Sequence, residues 1–398
     1  MNQKKVVVLG AGMIGATMAR DLAQDPSLEV VVADLNDAAL QALAASTNPP
    51  RLTTRQADVS KADVLRNVIA DADVVVGAMP SRFGFQTLRA VIEAGKNFVD
   101  ISFMPEEALE LNDLAQARGV TAVVDCGVAP GLANLMIGRS CAMLPHLRRV
   151  AFYVGGLPKV RRWPFQYKAP FAPSDVIEEY TRPVRLIEGG NLVVKPALSD
   201  PELIDFPGVG TLEAFNTDGL RSLVRTIAAP QMVEKTLRYP GHIELMRVFR
   251  ETGFFSKEAI QVGPALVRPL DVTSRLLFPA WKLESGEAEF TILRVIVEGS
   301  ASAGASPVRH AYDLYDETDP VTGTSSMART TGYPCTIVAR LLASGALSIP
   351  GVQPPERVAK VTGVYDHIVG ELARRGVRVR FSEAAIEDAP RPTAAPKR

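Results

Sequence analysis

The sequence predicts an α/β chain: an N-terminal, Rossmann-type doubly wound parallel sheet followed by a second α+β domain built on a largely antiparallel sheet. Three observations carry that prediction. The opening run Val6-Val7-Val8-Leu9 passes straight into Gly10-Ala11-Gly12-Met13-Ile14-Gly15, a buried-strand pattern followed by G-x-G-x-x-G and a helix. Up to residue 124, apolar strand-like runs alternate with amphipathic helical stretches, as parallel strands joined by crossovers require. At Asp125-Cys126-Gly127-Val128-Ala129-Pro130-Gly131 the alternation breaks, and from Val150 short β-like runs separated by proline-rich loops replace it.

In the first unit the glycines have separable tasks. Gly10 permits the tight turn, Gly12 removes a side chain where a pyrophosphate must approach the backbone, and Gly15 lets the helix pack closely on the strand. The helix over residues 13–24, beginning Met13-Ile14, then aims its unpaired N–H groups and positive dipole end at the phosphates. A second strand over residues 28–33 ends in Asp34, about 20 residues beyond the glycines. A carboxylate there accepts ribose hydroxyls and repels a 2′-phosphate, which favours NAD over NADP.

The pattern continues with a helix over 37–45, a turn at Asn48-Pro49-Pro50, and a strand over 52–57 closing on Asp58 and Val59. A helix over 61–70 leads to a buried strand over 72–78 that ends at Ala78 and Met79, on the side where the nicotinamide lies. Two more units follow, with helices over 86–94 and 106–118 and strands over 97–101 and 121–124. In the second half, runs over 151–154, 192–195, 287–297 and 310–315 read as strands, and 330–344, 355–359 and 366–374 as helices. The boundaries expected are 1–127 plus about 330–398 for the dinucleotide domain and 128–329 for the substrate domain. The segment from Ala389 to Arg398 is low in complexity and is expected to be disordered.

Composition narrows the function. At 398 residues the chain is long enough for two cores, and its 44 basic and 44 acidic residues balance, so no global field recruits nucleic acid or an anionic membrane. Three widely spaced cysteines form neither a disulfide framework nor a C-x-x-C metal site, which fits a reducing cytoplasm. No apolar run is long enough to span a bilayer, and the start leads into a strand instead of a signal-peptide pattern. The four histidines show no ligand spacing, and no G-x-S-x-G elbow is present, so neither a metal nor acyl transfer is expected. What remains is redox chemistry on a small molecule, with the cofactor doing the hard step.

Two stretches of the second half concentrate polar groups: residues 210–219, with Glu213 and Thr217, and residues 235–244. In the second, Arg238 can clamp a carboxylate, Tyr239 can hydrogen-bond it, and His242 titrates near neutrality. The same residues also fit a structural Arg–Glu pair and a surface histidine beside a Pro-Gly turn. Cys126 reads as a small buried hydrophobe, and Lys159, Arg161, Arg162 and Trp163 as a solvated loop.

Several of these stretches resemble the saccharopine dehydrogenase-like oxidoreductases: V-V-V-L-G-A-G-M-I-G, Gly127-Val128-Ala129-Pro130-Gly131, L-E-A-F-N-T, Arg238-Tyr239-Pro240-Gly241-His242 and Gly351-Val352-Gln353-Pro354-Pro355-Glu356. Within that family the sequence is most similar to the L-lysine 6-dehydrogenases. Saccharopine reductases and carboxynorspermidine dehydrogenases carry an aspartate before the Pro-Gly of that turn, where this chain has Ala129; Asp125 is the nearest acidic substitute. The resemblance implies NAD-dependent oxidative deamination of the ε-amine of L-lysine to a semialdehyde that cyclises as an imine, in a homodimer. Reductive condensation of an amine with an aldehyde, oxidation of a related ω-amino acid, and cofactor binding without turnover are the alternatives. An ammonium must lose its proton before its carbon is oxidised, which at neutral pH costs roughly 4 to 5 kcal/mol. On this reading His242 or Asp125 takes that proton, Arg238 and Tyr239 hold the substrate carboxylate, and Glu213 and Thr217 bind amino groups.

Overall fold

The computed structural model describes residues 3–47, 51–284 and 286–386. The turn expected at Asn48-Pro49-Pro50 and the tail from Ala389 onward lie outside them. The first half alternates as its hydrophobic pattern requires: β1 (Lys4–Leu9), α1 (Met13–Ala23), β2 (Leu28–Asp34), α2 (Asp37–Ser46), β3 (Leu52–Gln56), α3 (Ala62–Val68) and β4 (Val74–Gly77). It continues with α4 (Gly84–Glu93), β5 (Asn97–Asp100), α5 (Asn112–Ala117) and β6 (Thr121–Val123). The single helix expected over 106–118 is instead a 3₁₀ turn, Ala108–Leu111, running into the shorter α5, with Glu107 capping the turn through the Leu109 N–H.

The second half comprises α6 (Leu132–Met143), β7 (His146–Pro158), α7 (Pro173–Thr181), β8 (Val184–Glu188), β9 (Asn191–Lys195), β10 (Glu202–Phe206) and β11 (Gly210–Asn216). Then come α8 (Leu223–Thr226), β12 (Gln231–Arg238), α9 (His242–Glu251), the small hairpin β13 (Ile260–Val262) and β14 (Ala265–Val267), and α10 (Pro269–Trp281). The chain closes with β15 (Glu289–Ser300), β16 (Val308–Glu317), α11 (Ser326–Ser344), β17 (Gly351–Gln353), α12 (Pro355–Val358), α13 (Val364–Arg374) and β18 (Val379–Ala385).

Seven strands form an all-parallel sheet in the order β17-β6-β5-β4-β1-β2-β3. Its central strands are buried on both faces, which explains the unbroken valine runs: Val6, Val7, Val8, Val74, Val75 and Val76 expose nothing. Chain direction switches between β1 and β4, so the crevice for a ligand opens at the carboxyl ends of those strands. The second sheet runs β10-β11-β12-β7-β15-β16-β18, with β8 and β9 branching from β12; β12 and β7 are parallel and the other pairs antiparallel.

The C-terminal segment serves both sheets. Gly351–Gln353 adds an edge strand to the first, but Val379–Ala385 pairs with β16 in the second, so the end of the chain does not all return to the dinucleotide domain. Long α11 packs against α1 and β4 on one side and β15 on the other, joining the two halves. It is fastened by Asp21 of α1, which accepts bonds from Thr336 (2.6 Å), Arg340 (2.6 Å) and Arg375 (2.8 Å). Burial alone would raise that carboxyl, but the two guanidinium groups outweigh it and hold it below the ordinary carboxylate range. Among the described residues no helix is long and apolar enough to cross a membrane.

Candidate functional site

A cavity of about 730 Å³ lies between the carboxyl ends of the first sheet and the inner face of the second. Its floor is the glycine turn. A Cβ on Gly10 would stand 2.6 Å from the Ala78 carbonyl oxygen and one on Gly15 would stand 2.2 Å from the Gly10 carbonyl oxygen, so both positions are closed to side chains by packing. A Cβ on Gly12 would meet no protein atom within 4 Å. Open space at that one position, before the first N–H groups of α1, fits a pyrophosphate against the backbone. Met13 and Ile14 line the same floor.

At one end of the cavity stand the carboxyl-terminal residues of β2 and the loop after β3. Asp34 accepts from the Ala11 N–H (2.6 Å) through Oδ2 and from the Asn36 N–H (2.7 Å) through Oδ1, which fixes its carboxylate at the rim. Asp58 and Val59 stand beside it, and Asp58 is tied to the Ser60 hydroxyl. Beyond the turn, Ala78 and Met79 line the wall at the end of β4. All ten residues expected to hold the cofactor therefore border one cavity, and they fit a dinucleotide.

The substrate expectations divide. Thr217 and Arg238 line the cavity; Glu213, Tyr239, Asp125 and His242 do not. His242 is 2 % exposed and packed among Tyr167, Tyr180 and Trp281. Its Nδ1–H donates to the Phe165 carbonyl oxygen (2.8 Å), which leaves Nε2 to accept from the Tyr180 hydroxyl (2.9 Å), while that hydroxyl accepts from Arg238 Nε (3.1 Å). Burial and then the Arg238 charge push its pKa down to about 3, so it stays neutral and carries no proton to a substrate. Asp125 is buried behind the wall, paired with Arg221 at 3.4 Å. Tyr239 donates to the Pro158 carbonyl oxygen and Glu213 accepts from the Gly241 N–H, so both stabilise the chain around the site instead of facing into it.

Groups that the polar-loop reading passed over take their place. Glu234, on β12, lines the cavity, is 3 % exposed, and accepts through Oε2 from the Thr217 hydroxyl (2.5 Å) and the Gly219 N–H (3.0 Å). Burial pushes its pKa up to about 8 against those two bonds. Thr236 in turn hydrogen-bonds Thr217 (2.8 Å), steadying the hydroxyl that holds the carboxylate. Opposite, α7 places Asp175, Glu178 and Glu179 on the cavity wall, with Arg182 just past its end. Asp175 accepts from Ser81 (2.7 Å), a bond that ties this helix to the end of β4. Glu179 ion-pairs with Arg238 (2.5 Å), and burial raises its pKa in spite of that partner. Spacing was the legible signal: the acids and arginine of Asp175-x-x-Glu178-Glu179-x-x-Arg182 recur at one-turn intervals on one helical face.

Comparison with known proteins agrees with this architecture. Residues 6–123 match the model of the saccharopine dehydrogenase NADP binding domain, and residues 127–377 that of the saccharopine dehydrogenase C-terminal domain. The chain is 24% identical over 273 residues to alpha-aminoadipic semialdehyde synthase, mitochondrial, of Mus musculus, covering 65% of this chain and 29% of that protein. It is also 24% identical over 272 residues to saccharopine dehydrogenase [NADP(+), L-glutamate-forming] of Saccharomyces cerevisiae, covering 65% of this chain and 60% of that one. Each match thus spans less than two thirds of the relative. The apo structure of the L-Glu-forming saccharopine dehydrogenase of Saccharomyces cerevisiae superposes with a TM-score of 0.76 at 20% identity, over 96% of this chain and 100% of that one, and shows the same fold. With both family models matched in sequence order, the chain belongs to the saccharopine dehydrogenase family of nucleotide-dependent oxidoreductases.

Proposed function

We propose that the chain is an NAD-dependent amino-acid dehydrogenase that oxidises the ε-amine of L-lysine to an imine, which water hydrolyses to ammonia and the semialdehyde that then cyclises with the α-amine. The observation that carries this reading is Glu234, a buried carboxyl pinned at the wall of a cavity whose floor is built for a dinucleotide. The reaction needs a group that relieves an ammonium of its proton. An ordinary glutamate is poorly matched to an amine of pKa near 10.4, roughly 8 kcal/mol apart. A carboxyl raised to about 8 closes that gap to roughly 3 kcal/mol.

The nicotinamide ring, when bound, supplies the two-electron acceptor. The chain's own residues do the rest. Gly12 and the start of α1 receive the pyrophosphate, and Asp34 accepts the ribose hydroxyls. Thr217 and Gly219 aim Glu234 at the amine, and the walls at Phe103, Val154 and Phe171 limit water. The family model and the yeast relative carry NADP in their names. Here Asp34 and Asp58 both border the ribose end, and a 2′-phosphate would meet two carboxylates, so NAD is the proposed cofactor.

A second reading, oxidation of a secondary amine such as saccharopine or the reverse condensation, is favoured by one feature: two guanidinium groups without a close carboxylate partner among the described residues, Arg82 and Arg182, line the same cavity and suit a substrate with several carboxylates. Ala129, which also lines it, offers no carboxylate there. Formation of NADH near pH 9 to 10 from L-lysine, ornithine, diamines and saccharopine separates the readings. Turnover of L-lysine above the others is expected; turnover of saccharopine alone would favour the second, and NAD binding without any turnover would reject both.

A further inference from the structure

Three arginines line the cavity, and their surroundings differ. Arg82 is exposed and lies over Phe83. Arg238 is fully committed: Nε donates to Tyr180, Nη1 to the Leu237 carbonyl oxygen (3.0 Å), and Nη2 to Glu179. Arg182 has no such partners. Its guanidinium makes no hydrogen bond among the described residues, and the carboxylate within ion-pair range, Glu178, stands at 3.9 Å. Nη1 is buried and has no hydrogen-bond acceptor among the described residues. Glu178 itself is drawn away by Lys257 (2.9 Å).

Asp218 and Asp175 attract the charge of Arg182 without hydrogen-bonding it, and the cation beside it repels it. Arg182 lies over the Phe103 ring at 4.6 Å, and Arg221 lies over the same ring at 4.9 Å, so a like charge is close; Arg221 has Asp125 as counter-ion. Burial and this second cation both disfavour the charge on Arg182. A planar fork of five N–H donors, held at a cavity wall with its acceptors missing, is an arrangement that an entering carboxylate completes.

We propose that Arg182 is the carboxylate anchor for the substrate, so that an amino acid is held by its carboxylate at the end of α7 while its distal amine meets Glu234. This assignment rests on the amine-oxidising reading and sharpens it to molecules that carry a carboxylate at one end and an amine at the other. It makes Arg182 a specificity residue: it selects lysine over the same diamine skeleton without a carboxylate.

The test compares wild type with Arg182→Met and Arg182→Lys on L-lysine and 1,5-diaminopentane, and measures by calorimetry, with NAD present, the binding of L-norleucine, which has the carboxylate but no distal amine. Arg182→Met is expected to lower kcat/KM for L-lysine roughly 30- to 100-fold and to weaken norleucine by a similar factor. Turnover of 1,5-diaminopentane should change less than about threefold, and Arg182→Lys should recover part of the loss. Unchanged NAD affinity shows that the variants are folded. Equal losses on lysine and diaminopentane, or norleucine binding that is absent in wild type or unaltered in Arg182→Met, would overturn the anchor. If no amine is oxidised but norleucine binding still depends on Arg182, the anchor stands and the amine-oxidising reading falls.

Discussion

At the scale of single residues, two carboxyl-bearing and imidazole candidates changed places once burial was known. His242 is attractive in a sequence because imidazole titrates near neutrality, but its two ring nitrogens are spent on Phe165 and Tyr180. Its depressed pKa has a sign that can be checked. Between about pH 3 and 6.5 the unfolded chain binds a proton there that the folded chain refuses, so folding stability falls as pH falls through that window. Replacing His242 by Asn should remove that slope in urea titrations, cost about 1 to 3 kcal/mol at neutral pH, and leave the shape of the pH–rate profile unaltered.

Glu234 behaves oppositely: its raised pKa means that the folded state holds the extra proton between about 4.5 and 8, so stability falls as pH rises through that interval. Glu234→Gln should flatten that fall, and should reduce kcat about 100-fold while erasing the rise of activity toward alkaline pH. The glycine turn offers a cleaner separation of binding from folding. Because a methyl at Gly12 meets open space, Gly12→Ala is expected to leave thermal stability nearly unchanged and to weaken NAD at least about tenfold, measured by fluorescence titration. Gly15→Ala, whose methyl would collide with the Gly10 carbonyl oxygen, should lower stability itself.

At the scale of elements, what could be read from the chain depended on whether its periodicity was local. The parallel strands announce themselves because both faces are buried, so valine runs and the glycine turn led to ten residues that all border one cavity. In the second half, β7, β12 and β15 are neighbours although far apart in sequence, and no local pattern reveals that β12 runs parallel to β7. That pairing is what carries Glu234 into the cavity, and it is why the carboxyl escaped a search for dense polar loops. Helix α7 was legible in principle through its charged face, but the proline-rich stretch that leads into it and ends at Pro173 reads as loop. The junction of α1 with α11 is an element-scale prediction. Asp21→Asn leaves Arg340 with Asp25 alone and Arg375 with Glu371 alone, and should cost about 1 to 3 kcal/mol in denaturant unfolding. Since the Asp21 carboxyl is depressed, that contribution is present above pH 4 and is lost as acid protonates it.

At the scale of the whole molecule, the two sheets contribute different halves of one site. The first offers a phosphate turn and a ribose rim; the second brings a buried carboxyl, and α7 with Arg182 closes the wall between them. Ser81 and Asp175 bond across this boundary, so the charged groups on α7 are registered against the segment that follows β4. Family membership fixes the architecture and the class of chemistry; on the proposed reading, the choice of amine depends on the local charges around Glu234 and Arg182. The most direct measurement of that choice is the fate of nitrogen. With NAD and L-lysine labelled with ¹⁵N at either the ε- or the α-position, the account predicts labelled ammonium from the ε-labelled substrate alone, in step with NADH. Label released from the α-position, or NADH formed without any ammonium, would contradict it.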